Sequence, residues 1–262
     1  MAFPSERIVC LTEETVETLY QLGQEHRIVG VTGYAVRPAR VRKEKPRVGA
    51  FTSADVPKIL DLKPDLVLTF SDLQADIAAE LIRAGIAVHA FNQRSVAEIL
   101  DMIRTLGALT GTKGRAEALI RRFEARAHQL RTTPRPTRPR VYFEEWDDPP
   151  ISGIAWVSEL IELAGGEDVF AHLRREQGAK NRILDPAQII AARPDVILAS
   201  WCGKKVRPEK IAARPGWGDI PAVAKGRIVE IKSPLILQPG PAALTDGLEA
   251  IVSALWGEGA HA

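Results

Sequence analysis

The stretch that decides the fold is Ile59-Leu60-Asp61-Leu62-Lys63-Pro64-Asp65-Leu66-Val67-Leu68. The chain repeats its plan about half a chain later, as Ile189-Ile190-Ala191-Ala192-Arg193-Pro194-Asp195-Val196-Ile197-Leu198. Each copy has the pattern of a helix end, then a cationic residue with proline, an aspartate and a buried apolar strand. Proline cannot continue a helix, and the residue before it is expected to be extended. The repeat therefore predicts the same helix-to-strand junction twice, and two α/β lobes of similar plan with a cleft between them.

Strands and helices are expected to alternate on both sides of the repeat. Apolar runs that predict strands lie at 7–11, 27–32, 65–70, 86–91, 140–144, 195–200 and 227–231. Amphipathic segments between them predict helices, and this alternation indicates parallel, doubly wound sheets. The proline-rich stretch 132–139 indicates a stiff linker. We therefore predict an N-terminal α/β lobe over 1–94, a connecting helical segment over 95–132 and a C-terminal α/β lobe over 133–262.

The composition is ordinary for a soluble globular chain of 262 residues, with 45% hydrophobic and 26% charged residues. Thirty-five basic residues face 33 acidic ones, so the charge gives no reason to expect a nucleic acid or an anionic membrane as partner. No run approaches the roughly 20 apolar residues that cross a bilayer. We expect neither nucleic-acid binding nor membrane insertion, and we expect a monomer.

The first residues bear on where the protein works. Residues 1–6 lead directly into the first predicted strand, without the charged start, apolar run and cleavage site of an export signal. The sequence as written therefore predicts a cytoplasmic protein. If a leader has been removed, a periplasmic or cell-surface protein is expected instead.

The order of several short motifs resembles the class III substrate-binding proteins, which serve importers of vitamin B12, haem and iron–siderophores. The resemblance covers about residues 6–257, and Tyr34 and the segment 149–153 resemble the vitamin B12-binding members most. The motifs that carry it are Arg7-Ile8-Val9-Cys10-Leu11, Ile28-Val29-Gly30-Val31, Leu62-Lys63-Pro64-Asp65-Leu66-Val67, Ala84-Gly85-Ile86, Pro149-Pro150-Ile151-Ser152-Gly153, Leu163-Ala164-Gly165-Gly166-Glu167-Asp168-Val169-Phe170 and Arg193-Pro194-Asp195.

This resemblance implies an α/β fold of two Rossmann-like lobes with parallel sheets, joined by a single long backbone helix within 113–131. It also implies a non-catalytic protein that binds a cobalamin-like corrinoid in the cleft, at the carboxyl ends of the strands. No catalytic cofactor and no metal site is expected. A haem or iron–siderophore receptor is the first alternative, with Arg37, Arg40, Lys204 and Lys205 as candidate siderophore contacts. An enzyme of tetrapyrrole or metal-cofactor assembly, or an interaction module with a degenerate cleft, is the second.

The predicted ligand-binding residues are mostly aromatic, since a flat, mostly apolar ring requires aromatic faces and a few hydrogen-bond donors. Tyr34, Phe51 and Phe70 match aromatic cleft positions of the B12-binding members, although Phe70 could equally be the last core residue of its strand. The remaining candidates are inferred from their loop or helix-start positions, and they are Trp146, Ile151, Trp156, Trp201 and Gln238.

Two further patterns are expected to carry no site. The acidic run Glu144-Glu145-Trp146-Asp147-Asp148 is expected to be solvated loop charge, because alternation along a strand lets at most two carboxylates converge. The five histidines, His26, His89, His128, His172 and His261, have no metal-ligand spacing.

The expected contact with a transporter permease is the weakest part of the resemblance. Members of the group that dock to a permease carry an acidic residue on each lobe, here expected near Pro57 and near Leu237-Gln238. Neither position is acidic, and Asp55 is the only substitute in the first lobe. An ABC permease therefore stays an open partner, and a cytosolic carrier or sensor is an alternative role.

Overall fold

A computed structural model of the protein describes residues 3–257; His261 lies outside the described residues. The chain divides into two compact units. Unit 1 consists of Met1–Gln93 and Ala97–Arg122, and unit 2 consists of Arg94–Val96 and Phe123–Ala262. Each unit combines a sheet with helices, so the α/β class is confirmed. The finer division into two lobes and a separate connecting segment stays a prediction.

Unit 1 is built on a four-stranded parallel sheet. Its strands are β1 (Ile8–Cys10), β2 (Ile28–Val31), β3 (Leu66–Phe70) and β4 (Val88–Phe91), in the order β2-β1-β3-β4. All three neighbouring pairs are parallel, as the alternation of strands and helices predicts. The four carboxyl ends therefore lie at one edge of the sheet.

The helices of unit 1 follow its strands in the sequence. They are α1 (Glu13–Gln21), α2 (Val41–Glu44), α3 (Val56–Asp61) and α4 (Ala75–Arg83), with 3-10 turns at Glu25–Arg27 and Asp72–Gln74. Two longer helices, α5 (Val96–Leu109) and α6 (Lys113–Thr132), run along the sequence across the boundaries of the units. The long helix expected within 113–131 is thus present. Asp55 caps α3, accepting a hydrogen bond from the backbone N–H of Lys58 at 3.1 Å.

Unit 2 has a mixed sheet around one long strand. The strands are β5 (Arg140–Asp147), β6 (Pro150–Ser152), β7 (Glu167–Asp168), β8 (Val196–Ala199) and β9 (Ile228–Glu230), in the order β6-β5-β8-β9, with β7 also paired to β5. Strand β6 is antiparallel to β5, and the other pairs are parallel. The short hairpin between β5 and β6 is a feature that the expected all-parallel pattern missed.

The helices of unit 2 are mostly short. They are α7 (Ala155–Leu163), α8 (Pro186–Ala192), α9 (Pro208–Ala212), α10 (Pro221–Ala224), α11 (Ser233–Ile236) and α12 (Leu248–Trp256), with 3-10 turns at Ala171–Arg175 and Ala179–Arg182 and a π-helical turn at Ala243–Gly247. Helix α8 begins as its sequence predicts, with Asp185 and Gln188 forming a capping box and Pro186 in the first turn. Among the described residues, no helix is both long enough and apolar enough to span a bilayer.

The repeated stretch makes the same junction in both units, but not with the expected backbone. Lys63 has φ 47° and Arg193 has φ 45°, which is the left-handed conformation. The expectation of an extended residue before proline is therefore wrong. Each residue follows directly after the last turn of a helix, where a left-handed residue is a common way to end it.

Apolar clusters hold the helices of each unit against its sheet. In unit 1, strand residues such as Val9 and Val67 pack with Ile59 of α3 and Leu81 of α4. In unit 2 the cluster includes the buried aromatic residues Tyr142, Phe170, Trp201 and Trp217. Because the two clusters share no residue, each sheet carries a core of its own.

Candidate functional site

Three of the predicted aromatic residues lie at the carboxyl edge of the sheet in unit 1. Tyr34 follows β2, Phe51 lies in the long loop that comes next, and Phe70 is the last residue of β3. Tyr34 is 56% exposed, Phe51 is half-buried and Phe70 is 6% exposed. The ring centroids of Phe51 and Phe70 are 6.5 Å apart, with their planes at 52°. The structure therefore brings Phe51 and Phe70 together, beside the end of the central strand β1.

Gln74 is the residue that holds these positions, and sequence reasoning missed it. Its amide oxygen accepts the backbone N–H of Phe70 at 2.9 Å. Its amide nitrogen donates to the carbonyls of Leu11 at 3.1 Å and of Phe51 at 2.7 Å. The side chain is 1% exposed, so these bonds replace water for all three backbone groups. One buried amide thus ties the end of β1, the loop of Phe51 and the end of β3.

The loop and turn beside Gln74 are fixed by backbone contacts. The N–H of Gly33 donates to the carbonyl of Gly49 at 2.7 Å, and the N–H of Asp55 donates to the carbonyl of Val48 at 2.8 Å. Ser71, directly after Phe70, has φ 56° and ψ −177°. A non-glycine residue in such a conformation costs about 1–3 kcal/mol and is often found at binding sites. The backbone at the carboxyl edge of unit 1 is therefore held in one defined conformation.

A buried ionic network lies at the matching edge of unit 2. Glu144 is fully buried, and Arg214 donates to its two oxygens at 2.5 and 2.9 Å. The hydroxyl of Tyr142 and the indole N–H of Trp201 each donate to the same carboxylate at 3.2 Å. Burial raises the pKa of Glu144, and the hydrogen bonds from Arg214 oppose that shift. The expectation of solvated loop charge is thus wrong for Glu144, because a cation about 70 positions away compensates it.

Glu145 also has a buried partner. The guanidinium of Arg182 donates to its two oxygens at 2.7 and 3.1 Å and also to the carbonyl of Ser152. Arg182 is 1% exposed. Ile151, a predicted ligand residue, forms an isolated bridge with Ile183, which is 45% exposed. The pair of Glu145 and Arg182 therefore anchors the β6 hairpin and leaves Ile151 and Ile183 at its surface.

The predicted tryptophans of unit 2 differ in their exposure. Trp146 is half-buried, whereas Trp201 is 2% and Trp156 is 4% exposed. The indole N–H of Trp156 donates to the carbonyl of Ile236 at 2.8 Å, so Trp156 packs against α11. Gln238 is half-buried two residues beyond α11. Of these four residues, the structure brings Trp146 and Trp201 together.

One cation links these two rings. The Lys204 ammonium nitrogen lies 5.4 Å from the ring centroid of Trp146 and 5.0 Å from that of Trp201. It also donates to Asp147 Oδ2 at 2.6 Å. Lysine 204 is therefore held by a carboxylate and by two aromatic faces at once.

Two other candidate siderophore contacts, Arg37 and Arg40, also form ion pairs with acidic residues. Arg37 pairs with Glu17 at 2.9 Å, and Arg40 pairs with Glu25 at 3.1 Å. Within residues 3–257, no three His, Cys, Asp or Glu side chains are grouped so that they could hold a metal ion. What the geometry provides is aromatic residues at both sheet edges, fixed by the neutral amide of Gln74 in unit 1 and by charged groups in unit 2.

A separate surface groove lies between two helices of the chain. It has a volume of about 410 Å³ and is lined by residues of α5 and α6, including Arg104, Lys113 and Glu117. Arg104 pairs with Glu117 at 3.1 Å and with Asp101 at 3.0 Å, so the groove is crossed by ion pairs. We do not regard it as the ligand site, because its lining has no aromatic residue.

Open α/β sheets bind ligands at the carboxyl ends of their strands, and the aromatic residues described above lie at these ends in both units. The sequence matches the family described as periplasmic binding protein over residues 8–235. The chain therefore belongs to the periplasmic binding protein family, whose members are non-catalytic, as the motif order predicts.

Individual relatives agree with this assignment. An uncharacterized ABC transporter substrate-binding lipoprotein, YvrC of Bacillus subtilis, is 26% identical, over 96% of this chain and 80% of its own length. The vitamin B12-binding protein of Vibrio cholerae is 28% identical, over 76% of this chain and 71% of its own. The structure is similar to that of the periplasmic heme-binding protein RhuT of Roseiflexus, with a TM-score of 0.78 and 26% identity over 95% of this chain and 99% of that one.

Proposed function

We propose that this protein is the ligand receptor of an ABC importer and that its ligand is a cobalamin-like corrinoid. The observation that carries the proposal is the aromatic edge of unit 1, where Gln74 fixes Phe51 and Phe70 and Tyr34 stands exposed. A corrinoid is a flat, mostly apolar ring with peripheral amides. Exposed aromatic faces and backbone hydrogen-bonding groups suit such a ring, and a charged pocket is not required. The B12-binding relative in Vibrio cholerae supports the same ligand.

The arrangement of cations favours a corrinoid over a ferric siderophore. An anionic siderophore is recognised by cations that are free to converge on it. Here Arg37, Arg40 and Lys204 each pair with an acidic residue of their own unit. Binding an anion at Arg37 or Arg40 would require breaking those pairs, so of the four candidate cations only Lys204, whose pair is partly open to solvent, and the exposed Lys205 are left for it.

Haem is the second candidate, and one residue favours it. Tyr34 carries a phenol that is 56% exposed at the aromatic edge, and a tyrosine oxygen can serve as an axial ligand of haem iron. The similarity to a haem-binding protein supports this alternative. Substitutions of Tyr34 can therefore distinguish the two ligands, since a corrinoid would contact its ring and haem iron would bind its oxygen.

The partner and the compartment follow from the importer role. The Bacillus subtilis relative is named as a substrate-binding lipoprotein of an ABC transporter. We infer that this chain works as a monomer with an ABC permease, outside the cytoplasm, rather than as a cytosolic carrier. We take Asp55 as the docking carboxylate of unit 1. Its hydrogen bond with the backbone N–H of Lys58, at the start of α3, fixes the position of that carboxylate.

The test is co-elution of coloured ligands with the purified full chain. Cyanocobalamin, haemin and a ferric siderophore are each mixed with the protein, and the mixture is separated by size. We expect the cyanocobalamin absorbance to travel with the protein. Colour that is retained only with haemin or only with the siderophore would contradict the corrinoid proposal.

A further inference from the structure

The turn after β8 folds a lysine back onto the strand ends. The N–H of Lys204 donates to the carbonyl of Trp201 at 3.2 Å, and the same two residues form an isolated bridge. Gly203, the third residue of this turn, has φ 68°, which glycine adopts without strain. The turn from Trp201 to Lys204 therefore directs the lysine side chain towards the end of β5, where Trp146 and Asp147 lie.

The surface under Lys204 is held in place by other residues. The indole N–H of Trp201 donates to Glu144 at 3.2 Å, and that of Trp146 donates to the carbonyl of Asp148 at 3.1 Å. Neither bond involves Lys204. The two indole rings would therefore remain in position if the lysine moved away.

The contacts that hold Lys204 itself are open to solvent on one side. Its side chain is 49% exposed and that of its partner Asp147 is 17% exposed, so solvent screens the ion pair in part. The two ring contacts, at 5.0 and 5.4 Å, are also modest where solvent has access. The side chain of Lys204 thus covers an aromatic surface but is not rigidly fixed there.

We propose that Lys204 is a displaceable cover over the ring of Trp146, and that a ligand ring must move it aside to bind there. This inference rests on the proposed function, since it assumes that Trp146 contacts the ligand. Displacement leaves the carboxylate of Asp147 without its cation. The site therefore selects flat ligands without negative charge at this edge, such as a corrinoid, over ligands with carboxylate groups, such as haem.

The experiment compares two neighbouring lysines. Lys204→Ala removes the cover, and Lys205→Ala removes the same charge from an exposed residue beside it. Binding of cyanocobalamin to each full-length variant is measured by calorimetric titration at low and high salt. We expect Lys204→Ala to bind about tenfold more tightly than the wild type, because the cation–π and ion-pair contacts no longer compete. Lys205→Ala should stay within about twofold of the wild type, as surface substitutions usually do.

The salt dependence of cyanocobalamin binding gives a second readout, and its expected direction is unusual. Cyanocobalamin has no net charge, so salt acts mainly on the pair of Lys204 and Asp147. We expect added salt to tighten binding to the wild type, because it screens that pair, and to leave Lys204→Ala unchanged. Equal or weaker binding by Lys204→Ala would overturn the inference, since the lysine would then be inert or would contact the ligand directly.

Failure of the proposed function can be told apart from failure of this inference. If neither the wild type nor Lys204→Ala binds cyanocobalamin, the corrinoid proposal fails. The cover is then judged on the free protein, by acrylamide quenching of tryptophan fluorescence with the other half-buried indole removed as Trp256→Phe. Stronger quenching in Lys204→Ala than in Lys205→Ala supports the cover, and equal quenching contradicts it.

Discussion

Lys63 and Arg193 occupy matching positions in the two units and share a left-handed backbone, with φ 47° and φ 45°. The similarity extends to the side chains around them. Arg7 donates to the carbonyl of Leu62 at 2.6 Å, and Arg140 donates to the carbonyl of Ala192 at 3.0 Å. The burial pattern of residues 61–70 is the same, position by position, as that of residues 191–200. The repeated stretch therefore forms the same helix-to-strand junction in both units, including the strained left-handed residue before proline.

Replacement of either left-handed residue by glycine should stabilise the protein. Both side chains are exposed, and a residue with a Cβ atom pays roughly 1–2 kcal/mol for this conformation. After the extra freedom of glycine in the unfolded chain is subtracted, we expect Lys63→Gly and Arg193→Gly each to raise the free energy of unfolding by about 0.5–1 kcal/mol. Urea denaturation measures this. Lys58→Gly, in the right-handed helix α3, is the control and should lower it by about 1 kcal/mol; losses at all three positions would refute the account of the junction.

Loss of Gln74 should weaken both stability and binding. Gln74→Ala leaves the N–H of Phe70 and the carbonyls of Leu11 and Phe51 without their partner in a buried place. We expect a loss of about 2–3 kcal/mol in the free energy of unfolding, with weaker ligand binding because Phe51 is no longer fixed. Thermal unfolding and titration measure the two effects. Gln21→Ala, at an exposed site, should change neither, and unchanged binding by Gln74→Ala would show that Phe51 is not in the site.

Substitution of Tyr34 separates the two candidate ligands. Because Tyr34 is 56% exposed, neither Tyr34→Ala nor Tyr34→Phe should change stability by more than about 0.5 kcal/mol. For a corrinoid stacked on the ring, we expect Tyr34→Ala to weaken binding about tenfold and Tyr34→Phe to change it little. If Tyr34→Phe instead removes haem binding and its iron–phenolate absorption band, haem is the ligand.

Glu14 gives the protein a specific pH dependence. It is 4% exposed, one of its oxygens has no hydrogen-bond partner, and burial raises its pKa from 4.5 to about 7. The folded state therefore holds this proton more tightly than the unfolded state, and the free energy of unfolding falls as pH rises from about 4.5 to about 7. We expect Glu14→Gln to be about 3 kcal/mol more stable than the wild type at pH 8.

The same comparison at pH 4 provides the control for Glu14. There the wild-type carboxyl is protonated in both states, so the two proteins should differ little in urea denaturation. A stability difference between Glu14→Gln and the wild type that is the same at both pH values would rule out titration as its cause.

Local signals in the sequence were sufficient to predict most of the regular structure. The helix-to-strand junctions follow from Pro64 and Pro194, and the start of α8 follows from Asp185 and Pro186. Each depends on the conformational limits of a few adjacent residues. The aromatic positions Tyr34 and Phe70 at the edge of unit 1 could be predicted as well, because they lie at or after strand ends, although their role in binding stays a prediction.

Contacts between distant residues were not predictable in the same way. Gln74 bonds to a carbonyl 63 positions away, and Glu144 pairs with a cation 70 positions away. Nothing in the local pattern distinguishes that glutamine or that arginine from solvated ones, since only the folded sheet brings the partners together. The left-handed φ of Lys63 was missed for another reason: the rule for residues before proline disfavours the right-handed helix but does not choose between the other regions.

The most direct test of the ligand proposal is an equilibrium titration of the wild-type full chain with cyanocobalamin, with haemin titrated in parallel. We predict one cyanocobalamin per chain, with a dissociation constant at least tenfold lower than that for haemin. Saturable binding of haemin, with no measurable binding of cyanocobalamin, would contradict the account.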